Sequence, residues 1–381
     1  MEERNKTLNL VVIILIIIST ILFIVIGNKS FNYTAQNAGA ENFIKGTVIA
    51  IVDEESVENY DVTSTTLTFK CMLDSGDNEG KIISAEQYLT GDNVSSSSKV
   101  EKNDNILLTY TKSAADGSKT WQYVTPNRIK GIIILIGSFI VLILLIGKLK
   151  GLATVITLIL TFGILFGVYI PSILSGANIY SMTIISAIII VFTTLIILNG
   201  LTKKTLCAIV GNLGGIMIAA GLAFLANSML SISGMIDENS INLTMLESSV
   251  SIDLRALVWA GVVIGALGAI MDVAVSLSSS MQELSTEMKD RSFSRMVKSG
   301  FNIGRDAIST MTNTLLLAYV GGSFSIILLF FAYNKDLFYL MNLELIVTEI
   351  IQGIVGSIGI LMAVPVTVLF AAWIFNNKKS A

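Results

Sequence analysis

The chain has 381 residues, 53% hydrophobic and 14% charged, with a mean hydropathy of +0.74 and a net charge of −3. A soluble domain carries about 25% charged residues, so the composition excludes an ordinary soluble protein, and the weak charge argues against a nucleic-acid partner. No histidine is present, which removes Ser-His-Asp hydrolases, HExxH zinc proteases and histidine-ligated haem, and leaves proton chemistry mainly to carboxylates.

The first apolar run, Leu8 to Ile26, follows Arg4 and Lys6. It reads as an uncleaved anchor helix, because it is longer than a signal-peptide core and the cleavage-like Ala38-Gly39-Ala40 lies well past its end. Residues 28–128 are polar and rich in turns. Five stretches there read as strands: Gly46–Val52, Leu67–Leu73, Lys81–Ala85, Asn105–Thr111 and Thr120–Val124. Turn-forming pieces such as Asp74-Ser75-Gly76-Asp77 and Asp116-Gly117-Ser118 separate them. This pattern suits a small β-barrel of the OB or a related type. It reads first as a spacer or lid, with substrate capture or partner binding as the rival; Ser95-Ser96-Ser97-Ser98 reads as a flexible loop.

From Lys130 the apolar runs resume: Ile132–Gly147, Leu152–Ile170, Ile179–Leu198, Leu206–Ile232, Leu257–Leu277, Ile308–Tyr333 and Ile346–Phe375. Runs of about 20 apolar residues span a bilayer, and in lipid they must be helical. With the first run the expected count is eight. Lysine and arginine fix an expected orientation: Arg4 and Lys6, Lys148 and Lys150, Lys203 and Lys204, Lys289 to Lys298, and Lys378 and Lys379 all fall on one side. The opposite loops are acidic (Asp237, Glu238, Glu247, Asp253) or nearly uncharged. Both termini are thus expected in the cytoplasm, with residues 28–128 outside. The expected architecture is an anchor (1–27), an extracytoplasmic β domain (28–128) and a seven-helix membrane domain (129–381). Cys71 then lies outside and Cys207 within the membrane, so no disulfide joins them.

Ionisable residues inside spans are costly and mark functional candidates. In the sixth span Asp272, Ser276, Ser279 and Glu283 fall within about 60° of arc, beside Gly261 and Gly265 at GxxxG spacing. The next helix reads as starting near Gly300. There Asn302, Asp306, Thr310 and Asn313, with Ser309 beside them, form a second polar stripe, and Arg305 is offset by one residue. Short connections place the two helices side by side, with both aspartates at one level and Arg305 as counter-charge. The last span adds Glu344, Glu349 and Gln352, a kink at Pro365 and glycines 353, 356 and 359. Asn212 stands among small residues in the fifth. The bland readings are a packing ion pair for Asp272 and Arg305, and interhelical hydrogen bonding for Asn212 and Asn313.

Gly268-Ala269-Ile270-Met271-Asp272-Val273-Ala274, Ser299-Gly300-Phe301-Asn302-Ile303-Gly304-Arg305-Asp306, Thr310-Met311-Thr312-Asn313-Thr314-Leu315 and Ala318-Tyr319-Val320-Gly321 together resemble the YibE/F family of bacterial membrane proteins. Gly356-Ser357-Ile358-Gly359 and Val364-Pro365-Val366-Thr367 fit as well. The resemblance covers about residues 125–375, with Ser309 standing where the family pattern usually has glycine. It implies a multi-pass membrane protein and names no substrate.

The leading expectation is a transporter or exporter coupled to protons or sodium. Asp272 and Asp306 would bind the ion, Asn302, Thr310, Asn313, Ser276, Ser279 and Glu349 would line its route or a solute site, and Arg305 would tune the charge. A non-catalytic scaffold or assembly factor is the alternative, and an intramembrane aspartyl hydrolase is the third reading. The last lacks the GxGD and YD signatures. The sequence implies no enzyme activity, no cofactor and no metal. The expected partners are the bilayer and a small solute or ion, with a homo-oligomer or an envelope partner left open.

Overall fold

The computed structural model describes residues 2–31, 43–59, 62–76, 79–90, 99–112, 119–245, 251–288, 292–333 and 336–376. Ala38-Gly39-Ala40, Asp77, the Ser95–Ser98 run, Asp116-Gly117-Ser118, Glu247, Lys289, Arg291, Lys378 and Lys379 lie outside the described residues. The chain divides into two compact units, one of residues 34–142 and one of residues 1–33 with 143–381.

The first unit holds a closed barrel of β1 (Ile44–Asn59), β2 (Val62–Leu73), β3 (Ile82–Thr90), β4 (Asn105–Lys112) and β5 (Lys119–Pro126). The order is β1-β2-β3-β5-β4. All pairings are antiparallel except β3 with β5, the arrangement of an OB barrel. β1 is much longer than its apolar stretch implied. Two register shifts, at Val48/Ala50 and Ile51/Asp53, bend it, so that its start pairs with β4 and its length with β2. Leu67, Phe69, Cys71 and Leu73 alternate inward along β2 and meet Val48, Ile106, Leu108 and Trp121. Each large side chain buried this way contributes about 1.5–3 kcal/mol. The buried Gln87 is satisfied, its Oε1 accepting from the Val100 amide at 3.0 Å. The Cys71 thiol is free and buried, and burial pushes its pKa up to about 11.

The helices are α1 (Glu2–Ser30), α2 (Ile129–Ile164), α3 (Ile170–Leu174), α4 (Ile179–Asn199), α5 (Lys203–Met229) and α6 (Glu238–Thr244). They continue with α7 (Leu254–Glu287), α8 (Phe293–Gly322), α9 (Phe324–Ala332), α10 (Leu337–Leu340) and α11 (Glu344–Asn376). A π-helical turn, Leu165–Tyr169, joins α2 to α3.

Among the described residues six helices are long and apolar enough to cross a membrane, and α8 with α9, bent by 61°, makes up to a seventh. Eight separate spans were expected. The difference lies in Ile129–Leu174, which runs 46 residues; at 1.5 Å per residue that is about 69 Å, roughly twice a hydrocarbon core. The expected boundary after Gly147 is a sharp break rather than a loop. Lys148 has φ 50° and ψ −127°, and a Cβ on Gly151 would collide with the Ile143 carbonyl.

Two further boundaries differ. α7 continues to Glu287 rather than ending near Leu277, and α8 starts at Phe293 rather than Gly300. Apolar runs measure how much of a helix suits lipid, and both helices continue as polar turns beyond that. The expected single span Ile308–Tyr333 is instead the end of α8, a turn at Ser323, and α9.

The core of the second unit is α5, α7 and α11, brought close by small residues. A Cβ on Gly215 would stand 2.7 Å from Ile270 and 2.9 Å from the Gly359 carbonyl, and one on Gly359 would stand 2.8 Å from Ile270. A Cβ on Gly211 would overlap the Thr367 hydroxyl. Trp259 ties α7 to α5 by donating its Nε1–H to the Ala220 carbonyl at 2.8 Å. α1 packs on α4, where the Thr20 and Thr193 hydroxyls lie 3.2 Å apart.

Candidate functional site

α8 lies along α7 and α11, and glycines set its register. A Cβ on Gly300 would meet Met281 of α7 at 2.7 Å and Val368 of α11 at 2.8 Å. One on Gly304 would meet Val364, and Leu315 fills the space over Gly356. Tyr319 reaches Gly265 and Gly353. As α8 advances from Gly300 to Tyr319, its partners run back from Met281 to Gly265 and from Val368 to Gly353. Over 20 residues, about 30 Å, α8 is therefore antiparallel to both.

The buried residues of α8 are Met296, Gly300, Gly304 and Leu315. They share one side of the helix at about 100° per residue. Asn302, Asp306, Ser309, Thr310 and Asn313 centre on the opposite side, and all are exposed, as is Arg305. The wheel of polar residues is as expected; its direction is not. The stripe turns away from α7 and α11 rather than into the bundle. Among the described residues Thr310 donates within its own helix, to the Asp306 carbonyl at 3.3 Å and the Ala307 carbonyl at 3.2 Å.

Asp272 stands mid-helix in α7, about 15 residues or 23 Å from the end at Glu287. It is exposed, as are Ser276 and Glu283, whereas Ser279 is half-buried and donates to the Val275 carbonyl at 2.8 Å. The pairings of Gly300 with Met281 and Tyr319 with Gly265 put Asp306 level with about Ser276. The two aspartates are thus about one helical turn apart in depth rather than at one level. Among the described residues no ion pair joins Asp272, Arg305 and Asp306.

The stripe on α7 continues toward the start of the helix as an open glycine face. Nothing lies within 4 Å of a Cβ on Gly268, the Tyr319 hydroxyl would stand 2.6 Å from one on Gly265, and the Gln352 amide 3.7 Å from one on Gly261. Tyr319 Oη is buried and has no hydrogen-bond partner among the described residues. The sequence flagged Tyr319 only within a family string; its position over the α7 glycine face is visible only once the helices are packed. Beside it, Glu349, Leu316, Ser323 and Gly353 line an apolar groove of about 200 Å³, so Glu349 joins Tyr319 rather than the aspartates.

Glu344 has a structural task. Its carboxylate accepts from the Ser233 hydroxyl at 2.7 Å and the Gly234 amide at 2.5 Å, holding the loop after α5 to the start of α11. Gly234 has φ 87°, and a Cβ there would overlap Leu254. Asn212 is fully buried, and neither end of its amide is paired among the described residues. Interhelical hydrogen bonding is not what it does in this arrangement. No cluster of three or more acidic or cysteine side chains that could hold a metal occurs among the described residues.

A family model described as YibE/F-like protein matches residues 135–377, nearly two thirds of the chain. The chain belongs to the YibE/F-like family. The match takes in α7, α8 and α11 in full, and with them both polar stripes, the glycine contacts that set their register, and Tyr319. The barrel of this YibE/F-like chain lies outside the matched residues. No curated protein and no solved structure matches the chain.

Proposed function

We propose that this YibE/F-like protein moves an ion or a small solute across the membrane, coupled to protons or sodium, with the polar sides of α7 and α8 as the working surface. The observation that supports this is the packing of α8 along two spanning helices over about 30 Å while it keeps Asn302, Asp306, Thr310 and Asn313 clear of them. Carboxylates held at such depth are expensive and mark ion routes. Asp272 and Asp306 carry the ion, about one turn apart in depth. Ser276, Ser279, Thr310 and the amides supply oxygen ligands, Arg305 sets the local charge, and Glu349 with Tyr319 flanks the outward end. By the distribution of lysine and arginine, both termini are cytoplasmic and the barrel lies outside the bacterial cell membrane.

The test is ion flux into proteoliposomes under an imposed proton or sodium gradient, for the native protein, Asp272→Asn and Asp306→Asn. Loss of at least about tenfold in either variant supports the reading; full flux in both sinks it.

A second reading, an envelope scaffold, draws on the barrel. Ile51, Val52, Val57 and Ile82 leave apolar surface exposed on β1 and β3, which suits a partner. If removing residues 40–125 abolishes function while both aspartate variants stay active, that reading replaces the first.

A further inference from the structure

The polar side of α8 needs a cover, and we infer that the cover is a second copy of this chain, with the two α8 helices meeting across a two-fold axis along the membrane normal. This does not rest on the transport reading. Between Gly300 and Tyr319, α8 lies alongside the membrane spans α7 and α11, so its free side sits at hydrocarbon depth. Asn302, Arg305, Asp306, Ser309, Thr310 and Asn313 are all exposed there. Lipid cannot bond these groups, and polar residues at this depth face protein or water.

The arrangement of the stripe selects a copy of itself as the partner. At about 100° per residue, Asn302, Ser309 and Asn313 fall within about 40° of one line along the helix. Arg305 and Asp306 flank that line by about 50° on opposite sides. A two-fold axis parallel to the helices puts every residue at the same depth as its copy. Residues on the line then meet their own copies, and amide and hydroxyl side chains, which both donate and accept, pair with themselves. Residues flanking the line meet the opposite flank. Arg305 therefore faces Asp306 of the second copy, and Asp306 faces its Arg305, with about 1.5 Å between their depths. Neither has an ion pair within its own chain among the described residues. The two salt links form together or not at all.

The test uses the full chain in native membranes and in nanodiscs. Ser309→Cys on the line is oxidised and compared with Phe224→Cys, which is exposed on α5 away from the stripe; Cys71 and Cys207 are both buried. A covalent dimer at least tenfold more abundant for Ser309→Cys is expected. Separately, Arg305→Asp and Asp306→Arg each place like charges opposite one another and should lose most of the dimer. Expressed together with different tags, they restore both opposite-charge pairs and should co-purify as a mixed dimer. A monomeric native protein in nanodiscs overturns the inference. So does equal cross-linking at both cysteine positions, cross-linking of Ser309→Cys to a different protein only, or charge variants that dimerise alone as well as together.

Discussion

The Tyr319 hydroxyl of α8 stands 2.6 Å from where a Cβ on Gly265 of α7 would be, while nothing stands within 4 Å of one on Gly268, a turn away. The two glycines are neighbours on one face, yet they should respond oppositely to alanine. Crowding a packed contact costs about 1–3 kcal/mol, whereas alanine in an uncrowded helix position gains up to about 1 kcal/mol over glycine. Gly265→Ala should lower the thermal midpoint in detergent and Gly268→Ala should leave or raise it. Removing the hydroxyl with Tyr319→Phe should recover most of the loss at Gly265, because the two sites are in contact and so not additive. Equal midpoints for the two alanine variants would contradict the register of α8.

A second expectation concerns the loop after α5. Its Gly234 amide and Ser233 hydroxyl share the Glu344 carboxylate as acceptor. Hydrogen bonds to a charged group contribute about 1.5–3 kcal/mol. Glu344→Ala should therefore release the loop first. Limited proteolysis of the purified protein should cut between residues 231 and 245 several-fold faster, with other sites unchanged. Unaltered cleavage there would show that Glu344 does not hold the loop.

The pH dependence of the barrel follows from Cys71. The folded thiol titrates near 11 against an ordinary value of 9.0, because burial disfavours the thiolate. Below pH 9 both folded and unfolded chains keep the proton, and Cys71 adds no pH dependence. Between pH 9 and 11 only the unfolded chain releases it, so the unfolded state binds fewer protons and stability falls as pH rises. The full loss is about 3 kcal/mol, two units at 1.36 kcal/mol each. The difference between native protein and Cys71→Ala, followed by denaturant unfolding with Trp121 fluorescence, isolates this from lysine titration. The native protein should lose stability faster over that interval, and parallel pH curves would refute the assignment.

How much of this the sequence shows depends on what kind of information each feature needs. Alternation of Leu67, Phe69, Cys71 and Leu73 gave the barrel strands, and the length of apolar runs gave the spans, since both are local patterns. The helical spacing of Asn302, Asp306, Thr310 and Asn313 gave a real polar face. A helical wheel, however, says which residues share a face and not which face packs. Gly300 and Gly304 decide that, since only there can Met281, Val368 and Val364 approach closely. The end of α7 is not a local signal either: the helix continues as polar turns past its apolar run to Glu287. Tyr319 and Glu349 become neighbours only through the contact of α8 with α11.

Ion binding at Asp272 is read most directly by chemical modification of its carboxyl group. A membrane-soluble carbodiimide reacts with protonated carboxyls at hydrocarbon depth, and a bound cation competes with it. Peptide mapping of protein treated in proteoliposomes should find Asp272 modified, at a rate that falls as pH rises and that sodium or an imposed substrate ion slows at least several-fold. Modification confined to Glu283 and Glu287 near the end of α7, with Asp272 untouched at every pH, would contradict a working carboxylate at that position.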